Sequence, residues 1–436
     1  MFQKYLDNLK IAELNKMQLS TIEAAKESND LVLLSPTGSG KTLAFLLPII
    51  ERLDKNVKGV QALIIVPSRE LGIQIEQVFK QLGTGYKVNC VYGGHNTKIE
   101  RNNLTEPPAV LVGTPGRLCY HLDHNFFNPV TIMTLVLDEF DKSLEFGFKD
   151  EMAFIVGKIK RNAKKILTSA TDLQDIPPFT QVKNPIQLDF LEHASPVTND
   201  LSLKFIKSRD DDKLEILFSL LCKLKNAPTL VFCNQRDSIA RVSDMLTRKK
   251  MAHGIFHGQM EQDEREKALI KFRNGSFPTL ITTDLAARGL DIPDIEAVIH
   301  YQLPQTLDVL THRNGRTARM NADGTAYFLL TSTEYLPPFI KEKPDQLELA
   351  DKSSLPEMPK FVTLYIGGGK KDKINKGDIA GMLMQKGKLE KYEVGLIEVL
   401  DHSSYAAVSR TKINKVLELI KGEKVKNKKV KMEISN

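Results

Sequence analysis

Short apolar runs alternate along the chain with longer segments whose apolar residues recur at helical spacing. LVLLS (31–35), ALIIVP (62–67), VNCVYG (88–93), AVLVGT (109–114), TLVLDE (134–139) and KILTSA (165–170) form a first series. TLVFCN (229–234), HGIFHG (253–258), TLITTD (279–284), AVIHYQ (297–302) and TAYFLL (325–330) form a second. Continuous apolar runs of this length read as strands buried on both faces, as in parallel sheets whose crossovers are helices. The polar, Pro-containing LEHASPVTND (191–200) lies between the series. The pattern predicts two α/β domains in tandem, over 1–192 and 201–345.

A charged stretch with Pro and Ser, residues 341–360, reads as a flexible linker. Beyond it the pattern changes to strand (FVTLYIG), helix (GDIAGMLMQ), strand (VGLIEVL), strand (SYAAVS), helix (KINKVLELIK) and strand (KKVKMEI). This β-α-β-β-α-β order predicts a small ferredoxin-like α+β domain over 361–434, an arrangement that RNA-recognition modules share.

Composition adds limits. The chain has 436 residues, 42% hydrophobic and 26% charged, the balance of a globular protein of two or three domains. Its most apolar stretch, Leu43 to Ile50, is interrupted by Pro48 and falls far short of the roughly 20 residues of a spanning helix. The opening MFQKYLDNLK has no apolar run of the signal-peptide kind. Cys90, Cys119, Cys222 and Cys233 are scattered, which predicts reduced thiols, no zinc site and a cytoplasmic setting. From Phe361 onward there are 16 Lys and Arg against 9 Asp and Glu, which equals the net charge of the whole chain, +7. Such a basic end is either an arm for an anionic partner or a solvated lysine-rich tail.

Ligands of open parallel sheets bind outside the carboxyl ends of the strands. After the first run comes Ser35-Pro36-Thr37-Gly38-Ser39-Gly40-Lys41-Thr42. Its glycines let backbone N–H groups cradle phosphates at a helix start; Lys41 would reach terminal phosphates and Thr42 would ligate Mg²⁺. The strict pattern has Gly where Ser35 stands. The acids Asp138 and Glu139 follow another run; alone they read as a turn, but beside a phosphate loop they read as metal and water residues. Phe140 has no such chemistry and is expected to fill packing space. In THRNGRTAR, Arg313, Arg316 and Arg319 recur every three residues. They would lie on one side of a helix, suited to charge on a phosphoryl group or to a solvated face.

The ordered set resembles the DEAD-box RNA helicases of superfamily 2. It runs through Gln18, SPTGSGKT, PSREL (67–71), GG (93–94), TPGRL (114–118), DEFD (138–141), SAT (169–171), VFCN, HGQMEQDER (257–265), TTDLAARGLDIP (282–293) and HRNGRTAR. The resemblance implies two RecA-like domains and RNA-stimulated ATP hydrolysis. Gln18 would read adenine with Phe2 stacking on it. Thr37 through Thr42 would hold phosphate, Thr42 and Asp138 the Mg²⁺, and Glu139 the hydrolytic water. Arg316 and Arg319 would act from the second domain, with Gly289 and Asp291 near the ribose. Asp141, Ser169, Thr171 and His312 would couple hydrolysis to movement. Pro67, Arg69, Gly94, Thr114, Arg117, Gln262, Arg265 and Thr283 would contact RNA.

The C-terminal segment is similar to the RNA-binding domain of DbpA-type helicases, in TLYIGGGKKDKINKGDIAGML above all. That implies a structured ribosomal RNA partner during large-subunit assembly. Stacking aromatics are sparse, so the basic residues Lys370, Lys371, Lys373 and the 424–431 cluster are expected to carry affinity, with Tyr405 as a stacking candidate. The rival readings are a DNA translocase on the same cores and an RNA clamp that does not hydrolyse ATP. The Asn15-Lys16-Met17 that precedes Gln18 departs from the family's Thr-Pro-x.

Overall fold

A computed structural model describes the chain apart from residues 1, 29, 37, 95–96, 174, 192–200, 288–291, 293–294, 318–323, 350–353, 427 and 436 and the side chains of 285, 287 and 308. The described residues up to Leu191 form one compact unit and those from Leu201 onward a second.

The first unit is built on strands β1 (Asp30–Leu34), β2 (Ala62–Ile65), β3 (Val88–Val91), β4 (Val110–Gly113), β5 (Thr134–Leu137), β6 (Lys164–Ser169) and β7 (Ile186–Asp189). They lie in the order β3-β4-β2-β5-β6-β1-β7, and every pairing is parallel. β1, β2, β4, β5 and β6 are buried along their whole length, because helices cover both faces. The helix Arg69–Leu82 shows how such a crossover is specified. Ser68 caps it by accepting the Leu71 N–H, Leu71, Ile75, Phe79 and Leu82 line its buried stripe, and Gly83 ends it at φ 67°.

The second unit contains β8 (Leu201–Lys207), β9 (Thr229–Cys233), β10 (His253–Phe256), β11 (Thr279–Thr283), β12 (Ala297–His300), β13 (Gly324–Leu330) and β14 (Asp345–Gln346). Their order is β10-β11-β9-β12-β13-β8-β14, again all parallel. The smaller antiparallel sheet follows, from β15 (Phe361–Ile366), β16 (Val394–Val399), β17 (Ser404–Ser409) and β20 (Met432–Ile434), in the order β16-β17-β15-β20. A two-residue ribbon, β18 (Lys424–Val425) with β19 (Lys428–Lys429), precedes its last strand.

Three strands escape the hydrophobic pattern. β7 and β8 alternate or half-expose their residues, and β14 is two exposed residues, so none reads as a continuous apolar run. β14 also corrects the flexible-linker reading of 341–360. Leu347 N–H donates to Phe205 O at 2.8 Å, and Leu347 and Leu349 pack on the core of the second large sheet. Farther along, Asn226 donates to Glu357 O at 3.1 Å and Arg410 to Pro359 O at 2.7 Å. The polar composition concealed a strap that is bound mainly through its backbone.

The small domain docks against that second large sheet's domain. The helix Gln262–Arg273 ends beside it, where Arg273 meets Glu398 at 2.9 Å. Thr363 Oγ1 lies 2.6 Å from Ser276 Oγ and accepts from Asn274 Nδ2 at 3.2 Å, while Arg410 donates to Ser276 O at 2.9 Å.

Candidate functional site

The carboxyl ends of β1, β5 and β6 hold the phosphate-loop side of the site. Ser35 N–H donates to Ser169 O, which ties the loop to β6. Gly38 and Gly40 sit at φ 85° and 92°, a left-handed conformation that glycine adopts without strain. A Cβ at Gly40 would come within 2.6 Å of Gln18 Nε2. Ser35, at the position where the strict pattern has Gly, donates its hydroxyl to Ser39, and Ser39 donates to Pro36 O, both at 2.8 Å. The substitution thus braces the loop.

Gln18 is buried against this loop and donates to Gly40 O at 3.3 Å. Asn15 caps its helix in a reciprocal box, Asn15 Oδ1 accepting from Gln18 N–H and Gln18 Oε1 from Asn15 N–H, and Asn15 Nδ2 reaches Ser39 O at 3.0 Å. Asn15 thereby braces both Gln18 and the loop. Its signal was legible as Asn followed three residues later by Gln. Phe2 packs, partly buried, on the core of the first domain.

Lys41 opens the helix Lys41–Arg52, with Thr42 half-buried next to it. Lys41 Nζ donates to Ser35 O at 2.5 Å and Pro36 O at 2.8 Å. Burial pulls its pKa below the usual lysine value, against the charges of Asp138, Glu139 and Asp141. Burial likewise pushes the Asp138 carboxyl up, against a 2.5 Å hydrogen bond from Thr168 and the charge of Lys41. Glu139 holds φ 48° and ψ 52°, a left-handed backbone that costs a non-glycine residue about 1–3 kcal/mol. Its N–H donates to Asp138 Oδ1 and Thr168 Oγ1, which fixes the turn. Thr171 donates to Asp141 Oδ2 at 3.0 Å, and Ser169 donates to Thr171 O at 2.6 Å. Asp141 Oδ1 is buried without a hydrogen-bond partner among the described residues. A glycine cradle, a buried lysine, and hydroxyl and carboxylate oxygens fit a nucleotide triphosphate with a hard divalent cation.

The other half of the same sheet edge gathers the polynucleotide candidates. Pro67 and Arg69 follow β2, Gly94 follows β3, and Thr114 and Arg117 follow β4. Pro67 is buried, and Thr114 caps the helix Pro115–Asp123. Gly94, at φ 88°, lies so close to Arg69 that a Cβ would stand 2.8 Å from its guanidinium. Arg117 donates through Nε to Glu100 at 2.6 Å and sits 5.2 Å from the Tyr120 ring.

In the second unit Gln262 and Arg265 begin a helix, with Arg265 buried 4.9 Å over Phe256, and Thr283 ends β11. The arginine spacing needs correction. The helix runs only from Leu307 to Asn314, and Arg313 turns inward. It donates twice to Asp284, at 2.6 and 2.8 Å, and to Gln302 O and Asn234 Oδ1, both at 2.7 Å, above the Phe232 ring. His300 stacks on Phe328 beside it, and burial together with the Arg313 charge pushes its pKa down to about 3, so it stays neutral. Arg316 is buried in the turn after the helix, and His312 is buried within it. Thr37, Gly289, Asp291 and Arg319 lie outside the described residues.

Residues 15–176 match the family model of DEAD/DEAH box helicases, 212–321 that of the helicase conserved C-terminal domain, and 363–434 that of the DbpA RNA binding domain. The chain is 30% identical to the ATP-dependent RNA helicase DbpA of Bacillus subtilis, spanning 99% of this chain and 96% of that protein. The chain belongs to the DbpA-type DEAD-box ATP-dependent RNA helicases. The Escherichia coli DbpA is also 30% identical, over 98% of this chain and 96% of its own. Among solved structures, Mss116p bound to single-stranded RNA and AMP-PNP is similar at 25% identity and a TM-score of 0.70, covering 80% of this chain and 77% of that one.

The helicase's DbpA-type domain presents Lys370, Lys371 and Lys373 on an exposed turn, with Lys428 reaching Asp372 beneath them. Tyr405 departs from the stacking role expected of it. It faces Tyr365 on the outer side of the sheet, the side that carries Thr363 and docks on the neighbouring domain, and it is 4% exposed. Its face is occupied by an intramolecular contact. Among the described residues no helix is long and apolar enough to cross a membrane.

Proposed function

We propose that this ATP-dependent RNA helicase remodels structured ribosomal RNA during large-subunit assembly in the cytoplasm. Glu139 orients the attacking water, and Thr42 and Asp138, partly through water, would hold Mg²⁺. When bound, the cation neutralises charge on the phosphates and on the leaving group. Lys41 exchanges its two loop carbonyls for phosphate oxygens, a short move for a side chain already in the cradle. Glu139 accepts the water proton, and its fixed left-handed turn keeps that carboxylate aimed. Gln18 recognises adenine, with Phe2 beside it. Arg316 and Arg319 stabilise charge on the transferred phosphoryl group, and Gly289 and Asp291 serve the ribose. Asp141, Ser169, Thr171 and His312 couple hydrolysis to RNA release.

RNA is tracked through its backbone by Arg69, Gly94, Thr114 and Arg117, with Pro67 shaping the edge, and in the second domain by Gln262, Arg265 and Thr283. The choice of a ribosomal target rests on one observation: a DbpA-type domain whose exposed basic turn, Lys370–Lys373, remains available while its sheet face is covered. The test is ATP hydrolysis by the full chain with no nucleic acid, ribosomal RNA, unrelated RNA and single-stranded DNA. Ribosomal RNA should stimulate most. Equal stimulation by unrelated RNA removes the ribosomal assignment, and equal stimulation by DNA removes RNA selectivity.

A further inference from the structure

The helix Thr97–Leu104 carries a carboxylate that none of the family motifs accounts for. Glu100 is 2% exposed. Its Oε2 accepts from Arg117 Nε at 2.6 Å and lies 2.7 Å from His121 Nε2, while Oε1 accepts the Tyr92 N–H at 3.2 Å. A carboxylate this deep persists only where charged and hydrogen-bonding partners replace water. Here those partners come from separate segments. Tyr92 leads into the Gly93–Gly94 turn, Arg117 stands one turn into the helix capped by Thr114, and His121 lies one turn farther along that helix.

Both segments bear residues assigned above to the RNA backbone. With Nε committed to Glu100 and the Tyr120 ring alongside, the plane of the Arg117 guanidinium is set before any ligand arrives. Yet 12% of its side-chain surface stays open at the sheet edge. A preset fork loses less freedom on meeting a phosphate than a free one. We propose that Glu100 is a positioning residue for RNA, holding Arg117 and the turn at Tyr92–Gly94 in one register so that a single phosphate chain meets both. The inference rests on the RNA reading of Arg117.

The test is a double-mutant cycle on the full chain, read as the KM for a single-stranded RNA oligonucleotide in stimulated ATP hydrolysis. Glu100→Gln should raise that KM by about tenfold, the scale of one lost charge-assisted hydrogen bond, while kcat at saturating RNA changes by less than about twofold. Arg117→Ala should raise the KM as well, and Glu100→Gln should add nothing further in that background. Glu100→Asp keeps the charge but is too short to serve all three partners, and should fall between wild type and Gln. It provides the answer if the Gln variant does not fold. Additive effects in the cycle, or a Glu100 variant that melts earlier but keeps the wild-type KM, overturn the positioning role alone. An unchanged KM in Arg117→Ala overturns the RNA reading of Arg117 and this inference with it.

Discussion

Phe140 stands between the acids of the site, yet its ring points away from them into the core. It is fully buried, 6.2 Å from Phe179, among Leu137, Ile155 and Leu167. Phe140→Ala should therefore cost about 3–5 kcal/mol in thermal or denaturant unfolding, with ATP hydrolysis retained in the folded fraction. Its neighbour behaves oppositely. Glu139→Gln should leave ATP binding intact and lower hydrolysis by about 10²–10⁴-fold, measured by nucleotide binding beside steady-state turnover, because the amide no longer accepts the water proton. Arg313 makes a third case. Arg313→Ala would remove the partner of half-buried Asp284, of Asn234 Oδ1 and of Gln302 O, and should destabilise the second unit by about 1–3 kcal/mol, seen in its melting. Three arginines at equal spacing look equivalent in the sequence. The helix ends at Asn314, and only packing gives Arg313 its buried partners within it while Arg316 is buried in the turn that follows.

At the scale of elements, the helix Gln262–Arg273 has two neighbourhoods. Its first turn carries Gln262 and Arg265, and its last meets the DbpA-type domain through Arg273 and Glu398. Between them, burial first and then the charges of Asp263, Glu398 and Asp401 push the Glu266 carboxyl up to about 7, with Arg273 opposing. The folded protein then holds a proton that the unfolded chain releases near pH 4.5. This group's effect is to lower stability as pH rises from there to about 7, and the full loss persists above 7. Glu266→Gln should raise the melting temperature at pH 8, change little at pH 5, and flatten the dependence between them. A pH-independent gain would separate Glu266 from the seam. β14 and the strap after it teach a related lesson. Two exposed residues and a polar run give no periodic signal, because β14 pairs through its backbone and only Leu347 and Leu349 pack on the core.

For the whole molecule, the excess positive charge is C-terminal, and the structure sorts it. The sheet face with Tyr405 is used internally, while the basic turn stays exposed. Replacing Lys370, Lys371 and Lys373 with Glu should weaken binding of structured ribosomal RNA. It should also make the logarithmic salt dependence shallower by about 0.7–0.9 per lost phosphate contact, measured by titration at several salt concentrations. An unchanged salt slope would place the affinity elsewhere on the chain.

The sequence by itself determined the tandem parallel sheets, the antiparallel tail and the ends of the strands where chemistry gathers. Those follow from hydrophobic period, glycine at a phosphate turn and acids after a buried strand, all of which are local. The tertiary structure alone decided that Arg313 pairs with Asp284, that Tyr405 is covered, that the 345–349 strap is bound, and that Glu100 ties Tyr92 to Arg117. Each depends on atoms far apart in the chain that meet only when burial forces every polar group to find a partner.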